Sequence, residues 1–176
     1  MVGEGWTAQS LAALGERLGE LLPAGLDVVA TAALEGRGGS LQEEVTSCNW
    51  IVEVAGMGAA ELTERVEHLL CAASVPIERE RKGRRVADDL RPGVRSLRLE
   101  GPGSSPGTQR LIAELATKPR GIRPAELLGG IAASLTLVRA CRETQWIDDN
   151  GKRLEPLSAD GRLLGAADLE ATDCGR

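Results

Sequence analysis

The chain has 176 residues, 42% hydrophobic and 27% charged, with 21 Lys and Arg against 26 Asp and Glu for a net charge of -5. That is enough apolar material for one domain or two small ones, but the core must be aliphatic: there is no Phe or Tyr, and the aromatics are Trp6, Trp50 and Trp146. No apolar run reaches the ~18 residues of a membrane span, the start Met1-Val2-Gly3-Glu4-Gly5 lacks the basic and apolar regions of a secretory signal, and a single His with Cys48, Cys71, Cys141 and Cys174 scattered along the chain argues against a zinc or iron–sulfur centre.

The first element is an amphipathic helix over residues 7–22, because Leu11, Leu14, Leu18, Leu21 and Leu22 gather on one face at helical spacing. Thr7 is its N-cap candidate, and Pro23-Ala24-Gly25 stops it. A strand is expected over Leu26 to Leu34, a loop at Gly36 to Ser40 and a short helical turn over Leu41 to Ser47. Asn49 to Ala55 predicts a strong strand, and residues 58–73 a helix with Leu62, Val66, Leu69, Leu70 and Ala73 on one face. Pro76 leads into a strand at Ile77 to Arg81, Lys82-Gly83 turns the chain, and Arg84 to Leu90 returns as its hairpin partner. Arg91-Pro92-Gly93 breaks that strand before Val94 to Glu100 resumes extended. Gly101 to Gly107 is a flexible loop by composition, and Thr108 to Thr117 a strand. Arg123-Pro124 opens a helix with Pro124 in its first turn, where a missing N–H costs nothing. Leu135 to Ile147 is the last strand, and Asn150-Gly151 carries a hairpin-turn signal. From Glu143 to Arg176 there are 8 Asp and Glu against 4 Lys and Arg, so an acidic mobile tail is expected.

Glu78 to Arg98 is the most distinctive stretch. It holds 8 Lys and Arg and 4 Asp and Glu, so it is +4 inside a -5 chain and the remainder carries -9. A basic hairpin on an acidic protein is a local anion site, and the planar Arg fork suits phosphate, which makes RNA the natural partner. The same charges also fit a solvated edge hairpin that resists strand-to-strand aggregation. Asp89 and Arg91, two apart in extended chain, share a face and are placed to form an ion pair. Arg123 stands at a helix N-terminus, where free N–H groups favour anions. Catalytic signals are weak. Ser104-Ser105 has no motif around it, His68 sits one step off its helix's apolar stripe, and Asp148-Asp149 fits a turn better than a metal site.

Several short motifs fall in a recognisable order. They are Leu22-Pro23-Ala24-Gly25-Leu26-Asp27-Val28, Ser40-Leu41, the strand at Trp50, Pro76-Ile77-Glu78-Arg79 and the Lys82-Gly83-Arg84 turn. Asp89-Leu90-Arg91-Pro92 with Val94, Ser96 and Leu97 follows, then Arg123-Pro124-Ala125-Glu126-Leu127-Leu128 and Val138-Arg139. In this order the chain resembles the bacterial domain of unknown function associated with radical SAM proteins, found alone or fused to their C-terminus; the resemblance spans residues 7–157. It implies a cytosolic, RNA-modification context without an established activity. The family places Tyr where Trp50 stands, and its members begin with a longer first half rich in Phe, Asn, Pro and Arg. The expectation is therefore an N-terminally truncated member. A radical SAM enzyme needs a Cys-x-x-x-Cys-x-x-Cys cluster motif, which this chain lacks, so at most it accompanies one.

The expected fold is α+β: a ferredoxin-like split β-α-β antiparallel sheet over residues 49–147 with two helices on one face. A partial helix-strand remnant of a second such unit (1–35) precedes it, and the acidic tail (148–176) follows. The expected function is a non-catalytic, cytoplasmic accessory domain for a radical SAM partner. It would bind RNA phosphate, or present a substrate to that partner, through Lys82, Arg84, Arg85, Arg91 and Arg123, supported by Asp89, Pro92 and Pro124, with no metal, cofactor or membrane involved. The alternative is a protein-interaction module that pairs with a partner through its incomplete sheet. A standalone enzyme built on Asp89 and Arg91 would need a partner acid or base that the sequence does not offer.

Overall fold

The computed structural model describes residues 8–29, 31, 40–81, 83–149 and 152–156. The chain divides into two compact units, Thr46–Gln145 and Met1–Val45 with Trp146–Arg176.

The larger unit grows from an alternating strand. In β1 (Ser47–Ala55), Val52 and Val54 are buried on one face, while Asn49 and Ile51 lie on the other. A turn at Gly56, whose φ is +102°, leads into α3 (Ala59–Cys71), which buries Leu62, Val66 and Leu69 at helical spacing. Next comes a hairpin of β2 (Pro76–Arg81) and β3 (Arg84–Asp89), then a 3-10 turn at Arg91–Gly93. Strands β4 (Val94–Pro102) and β5 (Thr108–Ala116) form a second hairpin. Helix α4 (Pro124–Ile131) and the part of the long strand β6 (Thr136–Asp149) up to Gln145 complete the unit.

Strand order in the main sheet is β4-β5-β1-β6, with β5 antiparallel to both β1 and β4. That is the split β-α-β arrangement expected from the sequence: β5 inserts between β1 and β4, the two strands joined through α3. The β2–β3 ribbon, placed between α3 and β4, is a separate two-stranded sheet. Helices α3 and α4 meet the sheet in one aliphatic cluster that includes Val52, Val54, Leu90, Leu111, Leu115 and Leu127. Each of those side chains is at most 1% exposed. Burying one of this size stabilises the fold by roughly 1.5–3 kcal/mol. Gly130 lets α4 approach Leu90, because a Cβ there would collide with its Cδ2 and press on Val75 Cγ1.

The smaller unit holds α1 (Ala8–Leu21) and α2 (Leu41–Glu44), where the Ser40 N–H donates to Glu43 Oε2 at 3.3 Å. Leu11 and Leu14 of α1 are half-buried, but Leu18, Leu21 and Leu22 are exposed. The strand expected over Leu26 to Leu34 is not formed at residues 26–29 or 31. Strand propensity needs a neighbour, and this segment runs back along its own helix instead: the Thr31 hydroxyl donates to the Leu11 carbonyl at 2.9 Å. Residues 30 and 32–39 lie outside the described residues, as do Thr7, Lys82, Asn150-Gly151 and Cys174. At the start of the expected tail, β7 (Lys152–Leu154) pairs antiparallel with Ile147 to Asp149 of β6, and residues 157–176 lie outside the described residues. The Arg153 guanidinium stacks 4.1 Å over the buried Trp146 ring in that hairpin. Among the described residues no helix is long and apolar enough to cross a membrane.

Candidate functional site

The basic stretch singled out by charge forms the β2–β3 ribbon and the start of β4. The structure divides its cations into two sets. Arg84 and Arg85 lie at the exposed tip of the ribbon. Arg85 faces Glu78 at 3.7 Å, with side chains 86% and 73% exposed, an ion pair worth little in water. Lys82 lies outside the described residues.

The second set is built into the frame. Arg91 follows the 3-10 turn inward, and its guanidinium donates to the Leu70 carbonyl from Nε (3.2 Å) and Nη2 (2.9 Å) and to the Val94 carbonyl from Nη1 (2.9 Å). Leu70 is in the last turn of α3, whose final carbonyls lack helical partners, so a cation fits there twice over. The anticipated Asp89–Arg91 pairing takes another form. Asp89 Oδ1 accepts the backbone N–H groups of Val75 (2.8 Å) and Arg91 (3.0 Å). These two bonds, Val75 first, hold the Asp89 carboxyl below the usual carboxylate range. Leu90 between them is fully buried, and Pro92 stays exposed in the turn. Asp89-Leu90-Arg91-Pro92 is thus an architectural knot tying the end of α3 to β3 and β4.

Asp88 makes a second junction. Its Oδ2 lies 2.6 Å from Arg120 Nε and 2.9 Å from Arg79 Nε. Arg120 continues to Glu126 Oε2 at 3.1 Å, and Glu126 accepts the Arg123 backbone N–H at 2.9 Å. Burial works against ionisation of Asp88, but the Asp89 N–H and the two guanidinium groups outweigh it and hold its carboxyl low. This chain of charges joins the ribbon to the start of α4, where Pro124 is buried and the Arg123 side chain is exposed. Of the predicted anion contacts, Arg84, Arg85 and Arg123 face solvent, and Arg91 is turned onto backbone carbonyls.

The face of the sheet opposite α3 and α4 carries a polar cleft that sequence reading missed. It encloses about 180 Å³ and is lined by Ile51, Glu53, Ser104, Arg110, Arg139 and Cys141. Glu53 is 4% exposed although its neighbours Val52 and Val54 belong to the core side. Its carboxylate accepts the Ser104 hydroxyl at 2.5 Å and lies 3.5 Å from Arg110 Nη2, its cross-strand partner. The Ser104 hydroxyl, more than any other contact, lowers the Glu53 pKa, against a desolvation cost. Arg110 also reaches Glu100 at 3.5 Å, so it serves two carboxylates. The available signal was a lone acid in an otherwise apolar strand, since a buried carboxylate demands partners. Its partners could not be read, because they come from β5, β6 and the β4–β5 turn. Among the described residues no cluster of three or more His, Cys, Asp or Glu is arranged to hold a metal ion. Cys48 is buried, which pushes its thiol pKa up, whereas Cys71 and Cys141 are exposed.

No curated protein and no solved structure matches the chain. One family model does, over residues 6–124, a span running from the start of α1 to the first residue of α4 and including the whole β2–β3 ribbon. That family is described as an uncharacterized protein conserved in bacteria (DUF2344), and the chain belongs to it.

Proposed function

We propose that this chain is a non-catalytic, cytoplasmic accessory domain that binds RNA phosphate, or presents a substrate to a radical SAM partner, through the tip of the β2–β3 ribbon. The observation carrying this reading is the exposure of Arg84 and Arg85 on a ribbon outside the main sheet, within a segment of charge +4. Arg123, exposed at the start of α4, is a further cation for the same ligand, and Lys82 joins it by sequence alone; Arg91 and Asp89 hold the ribbon's base, with Pro92 and Pro124 in the turns beside it. The radical SAM partner rests on the sequence resemblance. Stacking on aromatics has no part in it, since the chain has three Trp and no Phe or Tyr. The test is filter retention of single-stranded RNA across a salt series. Arg84→Glu with Arg85→Glu is expected to lower retention and to reduce the salt slope by about 0.7 per lost phosphate contact. Wild-type protein that retains no RNA at low salt refutes the reading.

A second reading, a protein-interaction module acting through an incomplete sheet, is favoured by one observation. Residues 136–145 of β6 have no strand on their outer side among the described residues, because β7 pairs with β6 at Ile147 to Asp149. Light scattering of the full chain against a form lacking residues 1–34 separates this sheet edge from the exposed leucines of α1 as the contact.

A further inference from the structure

The open edge of β6 has a sequence that matches itself. Thr136 to Glu143 are exposed without interruption, with Leu137 at 37% and Val138 at 48% exposure. Among the described residues no strand lies outside it, and a long edge of this kind bearing apolar side chains is a template for another strand. Arg139, Cys141 and Glu143 are spaced by two, so their side chains emerge on one face of the strand. Antiparallel pairing about a two-fold axis at Cys141 sets Arg139 of one copy opposite Glu143 of the other, and the reverse by symmetry. A shift of one residue would instead set Arg139 against Arg142, so the charges choose the register.

We propose that the outer edge of β6 is a homodimer interface in which two copies of this chain pair antiparallel about Cys141 and join their sheets. This rests on the sheet-edge reading above and adds to it the partner and the register. An isologous contact of this kind is self-complementary, as a closed two-fold dimer requires. Facing residues in an antiparallel pair have Cα atoms about 4.5–5.5 Å apart, inside the ~4.4–6.8 Å range that a disulfide spans. Cys141 is therefore a reporter of the register.

The experiment uses the full chain carrying Cys71→Ser and Cys174→Ser, so that Cys141 is the exposed thiol. Copper-phenanthroline is the oxidant: two thiols lose two protons and two electrons to form one disulfide, and the copper complex takes the electrons. The expected result is a covalent dimer whose yield follows the non-covalent dimer seen by analytical ultracentrifugation. Glu143→Arg sets like charges opposite and is expected to weaken dimerisation about tenfold or more. Adding Arg139→Glu to it restores the wild-type value, which a mere folding defect would not do. A chain that stays monomeric throughout refutes the dimer. A dimer in which Cys141 does not cross-link and the charge swap has no effect refutes this interface, while leaving pairing at another edge in place.

Discussion

Replacing Arg91 with Ala removes the guanidinium that Leu70 and Val94 share, and the geometry sets the size of the loss. Two carbonyls lose a charged donor, at 2.9 Å each, and the second contact to Leu70 at 3.2 Å shares an acceptor already counted. Hydrogen bonds to a charged donor contribute about 1.5–3 kcal/mol each. The side chain is only part-buried, so water recovers some of the loss, and about 2–4 kcal/mol is expected. For a chain of this size each kcal/mol moves Tm by about 2–4 °C, giving a fall of roughly 5–15 °C by calorimetry or circular dichroism. Arg91→Lys should fall between the two, because an ammonium reaches one carbonyl without the fork that spans both. An Arg91→Ala protein melting within about 1 °C of the parent, well below that range, would refute the architectural account. If it also lost RNA retention, Arg91 would return to the set of ligand contacts.

Gly56→Ala places a side chain at φ +102° with its Cβ 2.5 Å from the Ser134 carbonyl oxygen, so a loss of about 2–4 kcal/mol is expected in urea unfolding. Asp89 has a native pKa below its unfolded value of about 3.9, so it favours the folded state above that pH. This contribution is lost as pH falls from there through the native pKa, and Asp89→Asn should flatten stability against pH over that acid window. In native protein at low concentration a maleimide should modify Cys71 and Cys141 but reach Cys48 only after denaturant is added, because Cys48 is 4% exposed with a raised pKa.

Local rules carried most of the element reading. Leu62, Val66 and Leu69 mark the buried face of α3, Pro124 opens α4 and Lys82-Gly83 separates two paired strands, each a signal contained in a few neighbouring residues. The segment from Leu26 misled because its valines suit a strand only when a sheet is there to receive them. Val29 is instead 78% exposed. Charge counting located the basic ribbon but could not separate Arg84, which faces solvent, from Arg91, which faces carbonyls, because a count of charges carries no information on which way each guanidinium turns. The Glu53 cleft was invisible for a different reason. Arg110 is its partner through β1–β5 register alone, and Ser104 through the turn that folds over it.

The split order of the sheet also sets a timetable. Ser47 to Ala55 finds its partner in Ala116 to Thr108, which leaves the ribosome long after it, whereas β4 and β5 are joined by a short turn. Hairpin closure is local and fast; pairing across α3 and the ribbon is not. During synthesis β1, with Val52 and Val54, waits with no strand beside it until β5 has emerged. That interval is when a nascent chain most needs a chaperone, and when a second nascent copy offers the wrong edge. A substitution that slows the β4–β5 hairpin would lengthen the wait, lowering soluble yield while leaving the stability of molecules already folded nearly unchanged.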